Sequence, residues 1–286
     1  MKYSVFSLSL PECAPSEAAK LIKEAGYDGV EWRCAEQSEQ LSPIPNFWKS
    51  NRTTLDTKKW KNLVPEYRKI MRDHGLECPS LGSYCRADQP DAIKMVIEIA
   101  KALDCPRFRI VLPPYDEKTT YQEIYKKMKL CYAHAAELCK DAGVQGLLEL
   151  HMWNITASAS LGHRLIEGLD PKHMGIIYDP GNMVVEGYEN WKIGCELLGP
   201  YLAFCHAKNS RFRVAGALPS GAIHWAYEPC EMHTGFVDWI TVFKALKSVK
   251  YNGWISNEDH FVSPNSSLER IRSGLEHLKR CEALVA

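Results

Sequence analysis

The chain has no C-x-x-C pair, and its cysteines number eleven, an odd count. This excludes the paired-thiol signature of a structural zinc site or a redox dithiol and argues against a complete disulfide framework. Cys105, Cys131, Cys195 and Cys205 fall inside apolar helical or strand patterns instead, and are expected as reduced, buried side chains. No apolar run approaches the roughly 18 residues of a membrane span, so no membrane partner is expected. The opening Met1-Lys2-Tyr3-Ser4-Val5-Phe6 alternates like a strand and runs into Pro11 without an apolar leader. A soluble, unprocessed cytoplasmic protein is the expectation. Neither sign of charge dominates, with 35 Lys and Arg against 35 Asp and Glu. A neutral chain has no general grip on a phosphate backbone, so a small molecule is expected as partner rather than nucleic acid. A Gly-rich phosphate loop is also missing. Gly26-Tyr27-Asp28-Gly29 precedes a strand instead of opening a helix, which removes the dinucleotide fingerprint.

What is present is a repeated alternation of short apolar strands with helices. Strands are expected near 3–9, 28–33, 76–81, 108–112, 146–150, 174–179, 201–206 and 253–258. The intervening helices fall near 15–26, 56–74, 88–103, 119–142, 157–168, 188–198, 236–248 and 266–283. Parallel strands need crossover connections, and eight such units in 286 residues predict an α/β fold, a single (β/α)8 TIM-barrel domain over 1–286. Residues 207–235 read as a loop far longer than usual, carrying Arg211, Arg213, Trp225 and Tyr227, and are expected to close over the site.

Gly146-Leu147-Leu148-Glu149-Leu150-His151 reads as a buried strand that places Leu147, Glu149 and His151 on one face. A carboxylate on a buried face needs a cation, a donor or a metal. Three later strands also end in Asp179, His206 and Glu258, at the C-terminal end where barrel enzymes carry their chemistry. Singly, each has a structural explanation: Glu149 or Glu258 could pair with Arg109, Asp179 could cap the Pro180-Gly181 turn, and His206 could be a hydrogen-bonded core residue. Together, two Glu, one Asp and one His suit one divalent ion, Mn2+ foremost, with Mg2+, Co2+ or Zn2+ as alternatives. Trp32, Trp48, Trp153 and Trp225 are candidates for a wall on which a sugar stacks. Glu31 and Arg33 either line the barrel mouth or pair with each other.

Glu149, Asp179 within Tyr-Asp-Pro-Gly-Asn, His206 within His-Ala-Lys-Asn and Glu258 within Ser-Asn-Glu resemble, in order and context, the sugar isomerase/epimerase family of xylose-isomerase-like barrels. The opening strand and the Gly-Tyr-Asp-Gly-Val-Glu second strand extend the likeness over nearly the whole chain. The resemblance implies that these four residues bind one divalent metal, that Glu149 and Glu258 move a substrate proton, and that Arg211 contacts a substrate hydroxyl. Many ketose epimerases of that family have a histidine three residues after the Asp, where this chain has Asn182. That departure tilts the expectation from plain ketose 3-epimerisation toward elimination, with Asn182 as a substrate contact and His151, two residues past Glu149, as an additional acid or base.

The expected activity is a metal-dependent isomerisation or epimerisation of a sugar or polyol through an enediolate. The alternative is a lyase or dehydratase acting on a keto-inositol or a 3-oxo-glycoside, including C-glycoside cleavage. A reading of another class is a metal-free sugar-binding subunit. A DNA-repair nuclease is disfavoured by the neutral charge and the lack of a second His and Asp ligand set. A homo-oligomer is compatible with all of these.

Overall fold

The computed structural model describes residues 1–285. Eight parallel strands form a closed barrel: β1 (Lys2–Phe6), β2 (Gly29–Ala35), β4 (Leu81–Ser83), β5 (Arg107–Ile110), β6 (Gln145–Glu149), β7 (Met174–Tyr178), β8 (Leu202–Ala207) and β11 (Trp254–Asn257). Neighbours run β1-β11-β8-β7-β6-β5-β4-β2, and parallel pairing of β1 with β2 closes the circle. A two-residue strand β3 (Leu55–Asp56) pairs in parallel with the end of β2, and an antiparallel hairpin of β9 (Asn209–Ala217) and β10 (Ile223–Cys230) stands apart from the barrel.

Nine α-helices surround the strands among the described residues: α1 (Pro15–Ala25), α2 (Trp60–His74), α3 (Pro90–Ala102), α4 (Tyr121–Ala142), α5 (Ala159–Ile166), α6 (Pro180–Glu186), α7 (Trp191–Leu198), α8 (Trp239–Ser248) and α9 (Ser267–Ala283). Their ends follow from local chemistry. The Thr120 hydroxyl accepts from the backbone of Glu123 while the Glu123 carboxylate accepts from that of Thr120, and Ser266 and Glu269 repeat this reciprocal cap on α9. No described helix is long and apolar enough to cross a membrane.

The strand residues facing the barrel axis sit two apart and form layers. Leu147, Ile177 and Phe204 make a small buried cluster against Trp254 and Ala203. Two residues further along the same strands come Glu149, Asp179 and His206, so the period of the pleat carries the apolar layer directly into the polar one. Gly82 makes room for the next occupant: a Cβ there would lie 2.1 Å from the Phe6 ring. Phe6 stacks under His206 with centroids 5.8 Å apart.

Three sequence expectations are corrected. The third barrel strand is Leu81–Ser83, not 76–81, because Pro79 has no amide to give to the ladder. Residues 207–235 are not a loop: they hold the end of β8 and the β9–β10 hairpin, in which Arg211-Phe212-Arg213-Val214 alternates with period two. Asp179-Pro180-Gly181-Asn182 opens a short extra helix, α6, with the Asp179 side chain accepting from the Asn182 amide at 2.9 Å.

Candidate functional site

At the C-terminal ends of β6, β7, β8 and β11, one donor atom each from Glu149, Asp179, His206 and Glu258 lies within 4.8 Å of the others, and all four side chains are buried. Nδ1 of His206 lies 3.0 Å from Oε1 of Glu149, 3.3 Å from Oε2 of Glu258 and 3.7 Å from Oδ2 of Asp179. On the other side of the ring, Nε2 lies 3.0 Å from Oε2 of Glu31, which also accepts from the Ser256 hydroxyl at 2.7 Å. Oε1 of Glu31 has no hydrogen-bond partner among the described residues.

Two fixed cations enter the group. Arg109 on β5 donates to Oε2 of Glu149 at 2.7 Å, and both side chains are buried. Lys208, just past β8, contacts Oδ2 of Asp179 at 2.6 Å and also the Glu258 carboxylate. Four buried carboxylates, Glu31, Glu149, Asp179 and Glu258, therefore face two buried cations, which leaves two negative charges when His206 is neutral. Uncompensated charge in a buried site is strongly unfavourable, and the donor set suits a divalent cation of the Mn2+, Mg2+ or Zn2+ kind.

Within the cluster, neighbouring charges outweigh burial. Burial alone would raise the pKa of Glu149, but Arg109 and then His206 hold it well below the usual carboxylate range. Glu258 is likewise depressed against its burial, by Lys208 and His206. Burial opposes charge on His206, yet Glu31 and Glu258 push its pKa well up.

Glu149 and Glu258 of the cluster reach the lining of a cavity of about 540 Å³. Of the other residues expected at the site, His151, Asn182, Trp48, Trp153 and Tyr227 also line it. Nδ1 of His151 lies 2.7 Å from the Met152 carbonyl, which can only accept, so in the neutral ring Nε2 carries the lone pair. The Asn182 carboxamide donates to Oδ2 of Asp179 at 2.8 Å and to the Leu150 carbonyl at 3.1 Å.

Three expected substrate contacts lie elsewhere. Trp32 is fully buried with its edge against Tyr67, because its strand position faces the helical layer rather than the axis. Arg211 sits exposed on the hairpin, its Nε 2.5 Å from Oε1 of Glu228. Trp225 is more than half exposed further out on the same hairpin and does not line the cavity. Glu31 and Arg33 do not pair: Arg33 donates to Thr54 and to the Trp48 carbonyl.

Sequence reading passed over Lys208, Tyr84 and His260, which line the cavity. Lys208 had a signal, since it lies two residues past His206 and so points the same way on an extended chain. Tyr84 lies beside the guanidinium of Arg109, 4.6 Å from its ring centroid, and its hydroxyl is buried without a partner.

A family model described as "Xylose isomerase-like TIM barrel" matches residues 19–281. Over 129 residues the chain is 27% identical to inosose dehydratase of Geobacillus kaustophilus, and this match covers 42% of the chain and 41% of that enzyme's length. Among solved structures, 3-keto-D-glucoside 4-epimerase from E. coli is similar at TM-score 0.72 and 16% identity, covering 98% of this chain and 100% of that one. The IOLI protein with a bound zinc atom is similar at TM-score 0.74 and 15% identity, covering 100% of this chain and 99% of that one.

Proposed function

Because the chain belongs to the xylose isomerase-like TIM barrel family, we propose that it is an enzyme that holds one divalent metal ion and removes a proton from the carbon beside a carbonyl of a sugar or polyol. The observation that carries this is the buried convergence of Glu149, Asp179, His206 and Glu258 with two negative charges left unmatched by Arg109 and Lys208. The zinc named with the similar IOLI structure supports a metal in this fold.

Those four residues would hold the ion through Nδ1 of His206 and one oxygen from each carboxylate. When bound, the ion supplies a Lewis acid that stabilises the negative charge built up on the substrate oxygen. Glu149 and Glu258, from strands on opposite sides of β7 and β8, flank the space above the cluster. One takes the C–H proton and the other returns one to the neighbouring carbon or the opposite face, which gives isomerisation or epimerisation. Arg109 keeps Glu149 ionised and fixed in direction, Lys208 does the same for Glu258, and the same ammonium holds the Asp179 carboxylate in place. Tyr84 lines the same cavity, and its hydroxyl has no partner among the described residues.

Elimination is the second reading, with a specific observation behind it. Asn182 offers only a carboxamide, locked to Asp179 and Leu150, whereas His151 presents Nε2 in the cavity. Nε2 there can take up a proton, and the imidazolium so formed can pass it to a departing hydroxyl or aglycone. The partial likeness to inosose dehydratase supports this branch.

The test is to load the purified protein with Mn2+ and incubate it with ketoses, keto-inositols and 3-oxo-glucosides, following products by NMR. A new stereoisomer supports isomerisation or epimerisation, and a dehydrated or deglycosylated product supports elimination. Failure to convert all three classes, with metal bound, counts against the proposal.

A further inference from the structure

Much of the cavity lining suits a polar, oxygen-rich substrate, with Asn154, Tyr227 and His260 joining Glu149, Glu258 and Lys208, but one wall does not. On that wall Val111, Leu112 and Pro114 from the connection after β5 join Met152 and Trp153 from the connection after β6. A monosaccharide carries oxygen on nearly every carbon, and hydroxyls pressed against such a wall would give up water without receiving a partner. At about 540 Å³ the cavity also lies within the range that houses drug-sized ligands, roughly 300–1,000 Å³.

Trp153 makes the wall more than incidental. Its φ of 63° lies in the left-handed region, which is unfavourable for a bulky side chain. The surroundings hold it there. Its amide donates to the Glu186 carboxylate on α6, and its carbonyl accepts from the Tyr115 amide at 2.7 Å. The second bond ties the two apolar connections into one surface. The indole so fixed remains 57% exposed at the cavity mouth, so burial of its own ring does not account for the arrangement.

We propose that the substrate has two parts: an oxidised sugar or polyol head over Glu149 and Glu258, and an aromatic group attached to it that lies between Leu112, Pro114 and Trp153. This rests on the proposed function for the head and adds an aglycone subsite to it. The wall binds the aromatic part by burying apolar area and by stacking on the indole, and orients the head by the length of the link between them.

Calorimetric titration of the Mn2+-loaded protein with phenyl β-D-glucoside and with methyl β-D-glucoside tests the subsite without turnover, because neither probe carries a carbonyl. Phenyl glucoside is expected to bind about tenfold tighter or better than methyl glucoside. Trp153→Asn removes the ring while suiting the left-handed backbone, and Pro114→Ser removes apolar wall. Each should bring the two affinities close to parity with little change for the methyl compound, and unchanged thermal melts would show that both variants fold. Equal affinities in the wild type, absence of binding by both glucosides, or a phenyl preference that survives both substitutions overturns the inference. The two proposals fail separately. Loss of the reaction reading leaves the phenyl preference in place but no C–H exchange on 3-oxo-glucosides, whereas loss of the subsite leaves exchange intact at phenyl and methyl parity.

Discussion

Oε2 of Glu31 lies 3.0 Å from Nε2 of His206, on the edge of the ring opposite the one that faces Glu149. A carboxylate can only accept, so this contact fixes a proton on Nε2 and leaves Nδ1 as the nitrogen available to a metal. Glu31 thereby orients the ligand and makes it a better donor, the arrangement that recurs behind metal-bound histidines. Glu31→Gln is expected to weaken Mn2+ binding by roughly 10- to 100-fold with little change in secondary structure. Calorimetric metal titration of the variant checks this, and wild-type affinity would show that Glu31 does not support the site.

The ligands themselves should behave more severely. Asp179→Ala and His206→Ala each remove one of four converging donors and are expected to lose stoichiometric metal after dialysis while circular dichroism still reports the barrel. Metal analysis by mass spectrometry reads the outcome. A variant that keeps a full equivalent of metal identifies its residue as something other than a ligand.

Arg109 and Glu149 form a buried ion pair at 2.7 Å. Arg109→Met leaves the Glu149 carboxylate facing the interior without its guanidinium, a change expected to destabilise the apo-protein by about 3–5 kcal/mol. Adding Glu149→Gln should restore part of that loss, because the stranded charge is gone. Urea unfolding of the single and double variants measures both, and a single variant within ~1 kcal/mol of wild type would contradict the pairing energetics.

Gly82 is needed for space rather than for backbone freedom. A Cβ there meets the Phe6 ring at 2.1 Å, and Phe6 in turn stacks on His206. Gly82→Ala is expected to cost about 1–3 kcal/mol of stability by overpacking the barrel interior. Displacement of Phe6 should also disturb the His206 ring, so metal affinity falls with stability. Unfolding midpoints and metal titration on the same variant test the linkage.

Much of this molecule was legible in the chain because two simple periods carried it. The strand period of two placed Glu149 with Leu147, and the matching steps from Ile177 to Asp179 and from Phe204 to His206 gather three of the four acidic and imidazole groups at one end of the barrel, where Glu258 joins them just past β11. Helix stops at Gly26, Gly75 and Gly143 were equally readable, since each adopts the left-handed conformation that ends a helix. Other features depend on distance in space. Glu31 meets His206 only when β1 closes the barrel between β2 and β11, and nothing in its local sequence distinguishes it from a rim carboxylate. Trp32 misled because a tryptophan on a barrel strand reads the same whether it faces the axis or the helices. The hairpin that carries Arg211 and Trp225 did announce itself in the alternation of Arg211-Phe212-Arg213-Val214, a pattern obscured by the assumption that a long connection lacks structure.

Proton transfer by Glu149 and Glu258 above one bound metal, as proposed, is tested most directly by turnover in deuterated water with a substrate from the three classes above, comparing wild type with Glu149→Gln and Glu258→Gln at full metal occupancy. These substitutions keep the shape of the side chain and remove the base. Wild type should place deuterium at the carbon beside the carbonyl or at its neighbour, or expel a leaving group from that carbanion, and each Gln variant should turn over roughly 100-fold more slowly or worse. Turnover by both variants at the wild-type rate would contradict the account.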